Sequence, residues 1–493
     1  VPRRRGARAT AAQAASDYAW LGLSPERKRF WSVLALAWAV YLAGTHPRVF
    51  AAGNDASRWA QIESLVDFRS ASIERSRFRA TVDRVIAGGR EYSNKPPLLA
   101  FAGAALYAPL EAVTGWRLGD AAAAPALFWI LTGLLVGLPG AVTVALFDRA
   151  LARRPGVGPR TRTLLTVALG AGTLLLSFSG TLNNHVPAAC LLLAAVLAAL
   201  DGRAGASGLA CGVAGAVDLL PGFGFAPFLT FVVALPGRGR TARLVRFAAG
   251  LAAGLAILVA GNFAITGTPL PPKLLPGAVD LSVRAGPSVA GVVLPQSPLY
   301  PLEVLFGGHG LFTVSPVLVL GALGLVLAAR RGARAERRAW AAIGLGVTAQ
   351  VVGHAFVAGS YGGWSYGFRY LIPIAPLMLL AAPAALERPG GRAGRVLLAF
   401  ALPPSLLFAA LGAYHPWPPA FEQATLVDPV AAAVRDPIGG NAAAFAVAHW
   451  PESALADALA RGFVAGDQGA RRRYFALFFA SKGDLETARR FLP

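Results

Sequence analysis

RLVRFAAGLAAGLAILVAGNFAIT, residues 243–266, is the stretch whose reading decides the fold: beyond Arg246 it reaches Thr266 without a charged residue. At about 1.5 Å per residue, a helix over this run is long enough to cross the roughly 30 Å of hydrocarbon in a bilayer. Its glycines and alanines suit helices that approach closely in lipid, where every backbone polar group must be satisfied within the protein. The basic loop Arg238–Arg246 leads into it, and the pairing of arginines with an apolar run recurs along the chain. Further runs fall at 30–43, 121–147, 162–180, 186–200, 206–221, 223–236, 311–329, 339–358, 370–386 and 394–413, which makes eleven expected spans.

Composition agrees with a membrane protein. Of 493 residues 55% are hydrophobic and 14% charged, whereas soluble domains carry about a quarter charged residues. The net charge of +21 does not point to nucleic acid, because the arginines punctuate apolar runs instead of gathering with aromatics in one basic domain. Lys and Arg collect in short cytoplasmic loops. With eleven crossings the basic loops Arg149–Arg162, Arg238–Arg246, Arg330–Arg338 and Arg388–Arg395 all fall on the side of the basic N-terminus. The opposite loops, 181–185, 221–223, 267–310 and 359–369, hold only Lys273, Arg284 and Arg369. This alternation requires the apolar stretch 96–115 to lie along or dip into the outer face without crossing. Cys190 and Cys211 both lie in apolar runs, so neither a disulfide framework nor a metal spacing is indicated.

Three regions follow: a cytoplasmic basic N-terminus over 1–29, a transmembrane domain over 30–413, and a small extracytoplasmic helical tail over 414–493. The first helix is read as uncleaved, although Ala51-Ala52 has the small residues of a cleavage site. The first external loop, 45–120, opens with an amphipathic pattern around Trp59 to Val66 that suits helices at the interface. The tail reads as two or three short amphipathic helices over 452–491, a packing or docking appendage through which a protein partner could bind.

Polar groups beside a membrane are costly, so those facing the bundle interior are functional candidates. On the outer face they converge in four stretches: Asn54-Asp55-Ala56-Ser57-Arg58-Trp59, Tyr92-Ser93-Asn94-Lys95-Pro96-Pro97, Asn183-Asn184-His185, and Trp364-Ser365-Tyr366-Gly367-Phe368-Arg369-Tyr370.

Asp55-Ala56-Ser57-Arg58-Trp59-Ala60-Gln61-Ile62, followed by Tyr92-Ser93-Asn94-Lys95-Pro96-Pro97-Leu98-Leu99, resembles the first-loop signature of the aminoarabinose transferase and protein O-mannosyltransferase group (glycosyltransferase family 39-like). These are integral-membrane glycosyltransferases of the GT-C fold. Asn183-Asn184-His185-Val186-Pro187 is similar to a loop in which the family usually has Thr-Asp-Met-Pro, and Gly367-Phe368-Arg369-Tyr370-Leu371-Ile372-Pro373 resembles the Arg-Tyr-x-x-Pro start of a late helix. The resemblance covers residues 30–200 well and the remainder mainly by topology.

It implies an all-α, GT-C-like bundle with interfacial helices in the first external loop, a multi-pass protein of the bacterial inner membrane with its N-terminus inside and C-terminus outside. It also implies a polyprenyl-phosphate carrier as partner and an inverting transfer of its sugar to an acceptor outside the cytoplasm. Asp55 would be the catalytic base. Lys95, Arg369 and Arg58 would hold the donor phosphate. Asn94, Asn184, His185, His309, Trp364 and Tyr366 would line the substrate. Where the family commonly has a metal-holding Glu before the Lys, this chain has Asn94, and the second-loop Asp is replaced by Asn184 or His185, with Asp218 as a substitute carboxylate. No cofactor is assigned, and a divalent metal lacks its motif.

Each residue also has an ordinary reading. Asp55 suits a helix cap, Lys95 a snorkelling anchor, Arg369 a structural pair, His185 and His309 packed hydrogen-bonded rings, and Trp364, Tyr366 and Tyr370 the aromatic belt. The missing carboxylate and the helical tail keep a second function open, that of a non-catalytic GT-C-like scaffold subunit in a larger membrane complex.

Overall fold

The computed structural model describes residues 24–50, 54–237, 239–282, 288–289, 292–293, 300–357, 365–386, 391–418, 437–464 and 466–492. Trp364 lies outside them. The chain is a polytopic helical membrane protein. Its first helix, Pro25–Ala43, starts at Ser24, whose hydroxyl accepts from the Arg27 N–H. It runs antiparallel to the helix Ala124–Ala152. Arg29 meets Asp148 (2.9 Å), Trp38 Nε1–H donates to Gly133 O (3.0 Å), and Trp129 Nε1–H donates to Leu42 O (2.9 Å).

One end of the bundle is therefore marked by Arg29 and Asp148. Asp148 is wholly buried and shared with Arg162 at 2.6 Å, while Arg162 also holds Glu26 at 3.0 Å. A buried carboxylate persists only when paired and hydrogen-bonded. Thr166 Oγ1–H supplies a further bond (3.0 Å).

Among the described residues five helices are long and apolar enough to span a bilayer: Ala124–Ala152, Arg240–Thr266, Arg334–Phe356, Arg369–Leu386 and Arg392–Tyr414. Tyr300–Val314 and Leu318–Arg330, bent by 102°, make a sixth if they form one span. The remaining expected crossings fall on shorter helices, including His185–Leu200 and Ala204–Val217, or on Pro25–Ala43 with its charged first turn. The count of eleven thus remains an expectation.

The stretch 243–266 forms most of the 27-residue helix Arg240–Thr266. It packs on Ala204–Val217 through Gly208 and Gly212 on one side and Gly250 and Gly254 on the other. A Cβ on Gly212 would lie 2.9 Å from Gly254 Cα, and one on Gly254 would lie 2.4 Å from Gly212 Cα. Each helix thus carries a small-x-x-x-small pair whose lack of side chains allows backbone contact, the means by which helices associate in lipid.

The first loop holds the helix Asn54–Asp67, buried on every face over residues 54–64 despite its polar sequence. The apolar stretch after Lys95 is the 17-residue helix Leu98–Thr114, packed against it. Between them stands an element that apolar periodicity does not announce. Arg84–Ala87 and Arg90–Ser93 pair antiparallel, Val85 opposite Tyr92, around Gly88 and Gly89 at φ +56° and +74°. Two positive φ values are the condition for a tight type I′ hairpin. Val279–Asp280 adds a third strand, Asp280 opposite Val85. Val85, Ala87 and Tyr92 turn inward against Ile265, so the sheet is seated on the end of the 240–266 helix.

The tail forms the helices Pro437–His449, Ala454–Phe463, Gln468–Lys482 and Leu485–Arg489. Tyr474, Phe475, Phe478 and Phe479 make its own small core. It docks on the end of the helix Arg392–Tyr414. Asn441 Nδ2–H donates to Leu411 O (2.7 Å) and His415 O (2.9 Å), His415 Nε2 meets Ser481 Oγ (2.9 Å), and Arg48 donates to Gly483 O.

Candidate functional site

The buried 54–67 helix explains the first half of the site. Asp55 is 2% exposed. Its Oδ2 accepts the Phe50 N–H (3.2 Å), and its Oδ1 is buried without a hydrogen-bond partner. Burial pushes this carboxyl up to about 7, against the Phe50 N–H and the Arg58 charge, which act in the other direction. A carboxylate titrating near neutrality with one free oxygen is suited to take a proton.

One turn on, Arg58 reaches back: Nη1–H donates to Asn54 O (2.8 Å) and Asn54 Oδ1 (2.5 Å), and Nη2–H donates to Asn184 Oδ1. Its acceptors are neutral. Ser57 Oγ lies 2.7 Å from Ser93 Oγ and donates to Asp83 O (2.6 Å), which fixes the helix to the hairpin.

The hairpin delivers the second half. Asp83 precedes its first strand and Asn94-Lys95 follow its second, so the turn at Gly88-Gly89 brings the two together. Lys95 Nζ stands 2.9 Å from Asp83 Oδ2. Asn94 Nδ2–H donates to Asp83 Oδ1 (3.4 Å), Asp280 Oδ1 (3.2 Å) and Ser282 Oγ (2.9 Å). Burial alone would raise the Asp83 carboxyl, but Lys95, Arg369 and Arg58 hold it below the usual value. Burial lowers Lys95, with Arg58 and Arg369 adding to the effect and Asp83 opposing it. These mutual influences place the three cations in one electrostatic field. Arg58, Gln61, Ser93, Lys95 and Pro97 line a narrow cleft together with Asn262 and Pro272.

Arg369, 5% exposed, begins the turn Arg369–Ile374. Its guanidinium carbon sits 4.7 Å from the Trp417 ring centroid and 5.0 Å from that of Tyr370. Nη2–H reaches the Tyr370 hydroxyl at 3.4 Å, and Nε is buried without a partner. Among the described residues no carboxylate pairs with Arg369 or Arg58.

His185 joins the same field. Its Nδ1 meets Asp218 Oδ2 at 2.7 Å, its Nε2 is buried and unpartnered, and its ring meets Tyr370 edge-on. Tyr370 stacks on His354 at 5.1 Å. Asp218, the substitute carboxylate, is thus engaged with the histidine that follows Asn184.

Asp55, Arg58, Asn94, Lys95, Asn184, His185 and Arg369 therefore belong to one cluster, joined by these contacts and by the influence of Arg58 and Arg369 on their neighbours. Two expected substrate residues have other places. His309 Nδ1 meets Ser365 O (2.7 Å) and its own carbonyl accepts the Phe368 N–H (2.9 Å), which shapes the turn before Arg369. Tyr366 is fully buried, its ring against Gly412 and its N–H on Pro416 O (2.9 Å). Sequence reasoning missed Asp83, Asp280 and Trp417. The Gly-Gly pair between two alternating runs was the signal that could have found the hairpin, and with it Asp83.

No family model matches the sequence, and no curated protein matches it. Among solved structures the chain is similar to ArnT from Cupriavidus metallidurans bound to undecaprenyl phosphate, at 17% identity and TM-score 0.51, over 94% of this chain and 76% of that one. The apo state of the same protein aligns at 17% identity and TM-score 0.48, over 97% and 78%. An Archaeoglobus fulgidus oligosaccharyltransferase in the apo form aligns at 12% identity and TM-score 0.44, over 86% of this chain and 58% of that one. At these identities the likeness is one of fold alone: the chain shares the helical membrane architecture of the first of these structures.

Proposed function

We propose that the chain transfers a sugar from a polyprenyl-phosphate donor to an acceptor hydroxyl on the outer side of the membrane. The observation that carries this reading is a buried acid with a free oxygen, Asp55, in one cluster with two buried guanidiniums, Arg58 and Arg369, that have no carboxylate partner among the described residues. Buried arginines left unpaired by acids call for an anion. A phosphate matches their forked donors, and Lys95 adds a third charge. The solved likeness that holds undecaprenyl phosphate supports the same class of donor.

In this reaction the acceptor oxygen attacks the anomeric carbon from the face opposite the phosphate. Its bond to the sugar forms as the bond from the anomeric carbon to the phosphate oxygen breaks, with inversion. The electron pair leaves on the polyprenyl phosphate, whose growing charge Lys95, Arg58 and Arg369 stabilise. Asp55 Oδ1 takes the hydroxyl proton.

Single-turnover transfer from a labelled polyprenyl-phosphate sugar, with the protein in lipid nanodiscs, tests the assignment. Asp55→Asn lowers the rate by about 10²- to 10⁴-fold, the range of a lost general base. An unchanged rate in a folded variant overturns it.

A further inference from the structure

The end of the bundle opposite Asp55, marked by Arg29 and Asp148, carries a second cleft. It holds about 410 Å³ of water-accessible space between the end of the helix Ala124–Ala152, the turn after His185–Leu200, the start of Arg334–Val357 and Leu380. Arg149, Arg153, Arg154 and Arg203 lie on its walls with Asp201 and Glu336. Four cations thus face two acids.

The arginines are arranged unequally. Arg154 is fixed, donating from Nη1 to Leu380 O while its guanidinium carbon lies 4.3 Å from the Trp340 ring centroid. Arg153 and Arg203 share a single carboxylate oxygen, Asp201 Oδ2, at 3.3 and 3.5 Å, with side chains 56% and 66% exposed. Such long, exposed ion pairs are weak and readily exchanged for a better anion. Arg149 has no carboxylate partner among the described residues. Behind the charged rim, Leu146, Leu197, Leu200 and Trp340 provide an apolar wall. Arginines that only snorkelled to the headgroups would extend away from the bundle, whereas Arg154 folds inward over Trp340.

We propose that this cleft binds an anionic phospholipid, its phosphate held by Arg149, Arg153 and Arg203 and its acyl chains lying on the apolar wall. A basic rim over an apolar wall at helix ends recognises a phosphate attached to a chain, and basic pockets between membrane helices hold anionic headgroups in this way. A soluble phosphate would use the rim but leave the wall exposed. The site is remote from Asp55 and does not depend on the sugar-transfer reading.

The test uses the full chain in detergent, titrated with phosphatidylglycerol or phosphatidylcholine, with the thermal midpoint and lipid-bound mass as readouts. The expected result is a midpoint that rises with phosphatidylglycerol and not with phosphatidylcholine. Arg149→Gln and Arg203→Gln each weaken that response about 5-fold, the effect of one basic residue near an anionic surface. Arg203→Glu, at a side chain 66% exposed, weakens it further. Variant midpoints in phosphatidylcholine alone that match the parent establish that folding is intact. Equal response to the two lipids, or parental affinity in all three variants, overturns the proposal. Displacement of phosphatidylglycerol by millimolar inorganic phosphate overturns the lipid as the ligand.

Discussion

Lys95 Nζ lies 2.9 Å from Asp83 Oδ2, so the lysine of the first-loop motif is held by an acid outside that motif. The carboxylate does two things. It offsets the cost of burying an ammonium among two guanidiniums, and it aims the ammonium at the cleft lined by Arg58 and Ser93. Asp83→Asn removes the first of these and keeps the shape. It destabilises the protein by about 1.5–3 kcal/mol, the value of a hydrogen bond to a charged group. The Asp83 carboxyl is held below its ordinary 3.8 in the folded protein. Its contribution is therefore present above that value and is lost as the pH falls through the folded one. Thermal midpoints of parent and variant accordingly converge in acid and separate towards neutrality. A constant difference across the range shows that the pair contributes nothing.

Asp55 has the opposite sign. Its folded value of about 7 lies above the ordinary 3.8, so its contribution to stability is present below about 3.8 and is lost as the pH rises through about 7. Transfer rises over that same upper interval as the base ionises. Asp55→Asn accordingly slows transfer by the same about 10²- to 10⁴-fold while raising the thermal midpoint relative to the parent at pH 8. Loss of both activity and stability at pH 8 would identify the residue as a structural cap.

The membrane class and the motif cluster were legible because both are local. Apolar runs of sufficient length, such as 243–266, announce themselves, and Asp55, Arg58, Asn94 and Lys95 lie in two short stretches of one loop. Span limits were less legible, because 206–236 carries a single charged residue, Asp218, while the helices break there and again before Ala226. Burial of the 54–67 helix was hidden for a different reason. Its polar residues satisfy one another and the hairpin, as in Ser57 with Ser93, and that compensation depends on contacts distant in sequence. Trp417, which completes the aromatic setting of Arg369, lies 48 residues beyond it.

The packing of the 204–217 and 240–266 helices gives a prediction about folding alone. A Cβ on Gly254 would stand 2.2 Å from Gly212 C and 2.5 Å from Val213 N, and backbone cannot yield as a flexible side chain can. Gly254→Val costs about 3 kcal/mol or more by overpacking. Gly344, with nothing within 4 Å of its added Cβ, is the control: Gly344→Ala is neutral or slightly stabilising. Detergent melting curves of the two variants decide this.

Chelation tests what the Asn94 position implies. Lys95 Nζ lies 2.9 Å from Asp83 Oδ2, and Asn94 turns a donor, not an oxygen, towards Asp83 and Asp280. Transfer is expected to survive exhaustive dialysis against EDTA with its rate unchanged. A rate that falls and returns with added Mg²⁺ or Mn²⁺ would place a metal in the reaction.

Arg369 separates charge from shape. Its guanidinium lies near two aromatic rings, 4.7 Å from Trp417 and 5.0 Å from Tyr370, with Nε unfilled. Arg369→Lys keeps the charge but loses the planar fork and the stacking, which an ammonium does not reproduce. If the fork holds the donor phosphate in both ground and transition states, the substitution raises KM for the polyprenyl-phosphate sugar by about tenfold, equivalent to roughly 1.4 kcal/mol, and leaves kcat nearly unchanged. If Arg369 instead stabilises charge only as the phosphate departs, kcat falls and KM holds. Arg369→Lys with both constants at their parental values would remove the residue from the donor site and leave it as a structural cation between two aromatic rings.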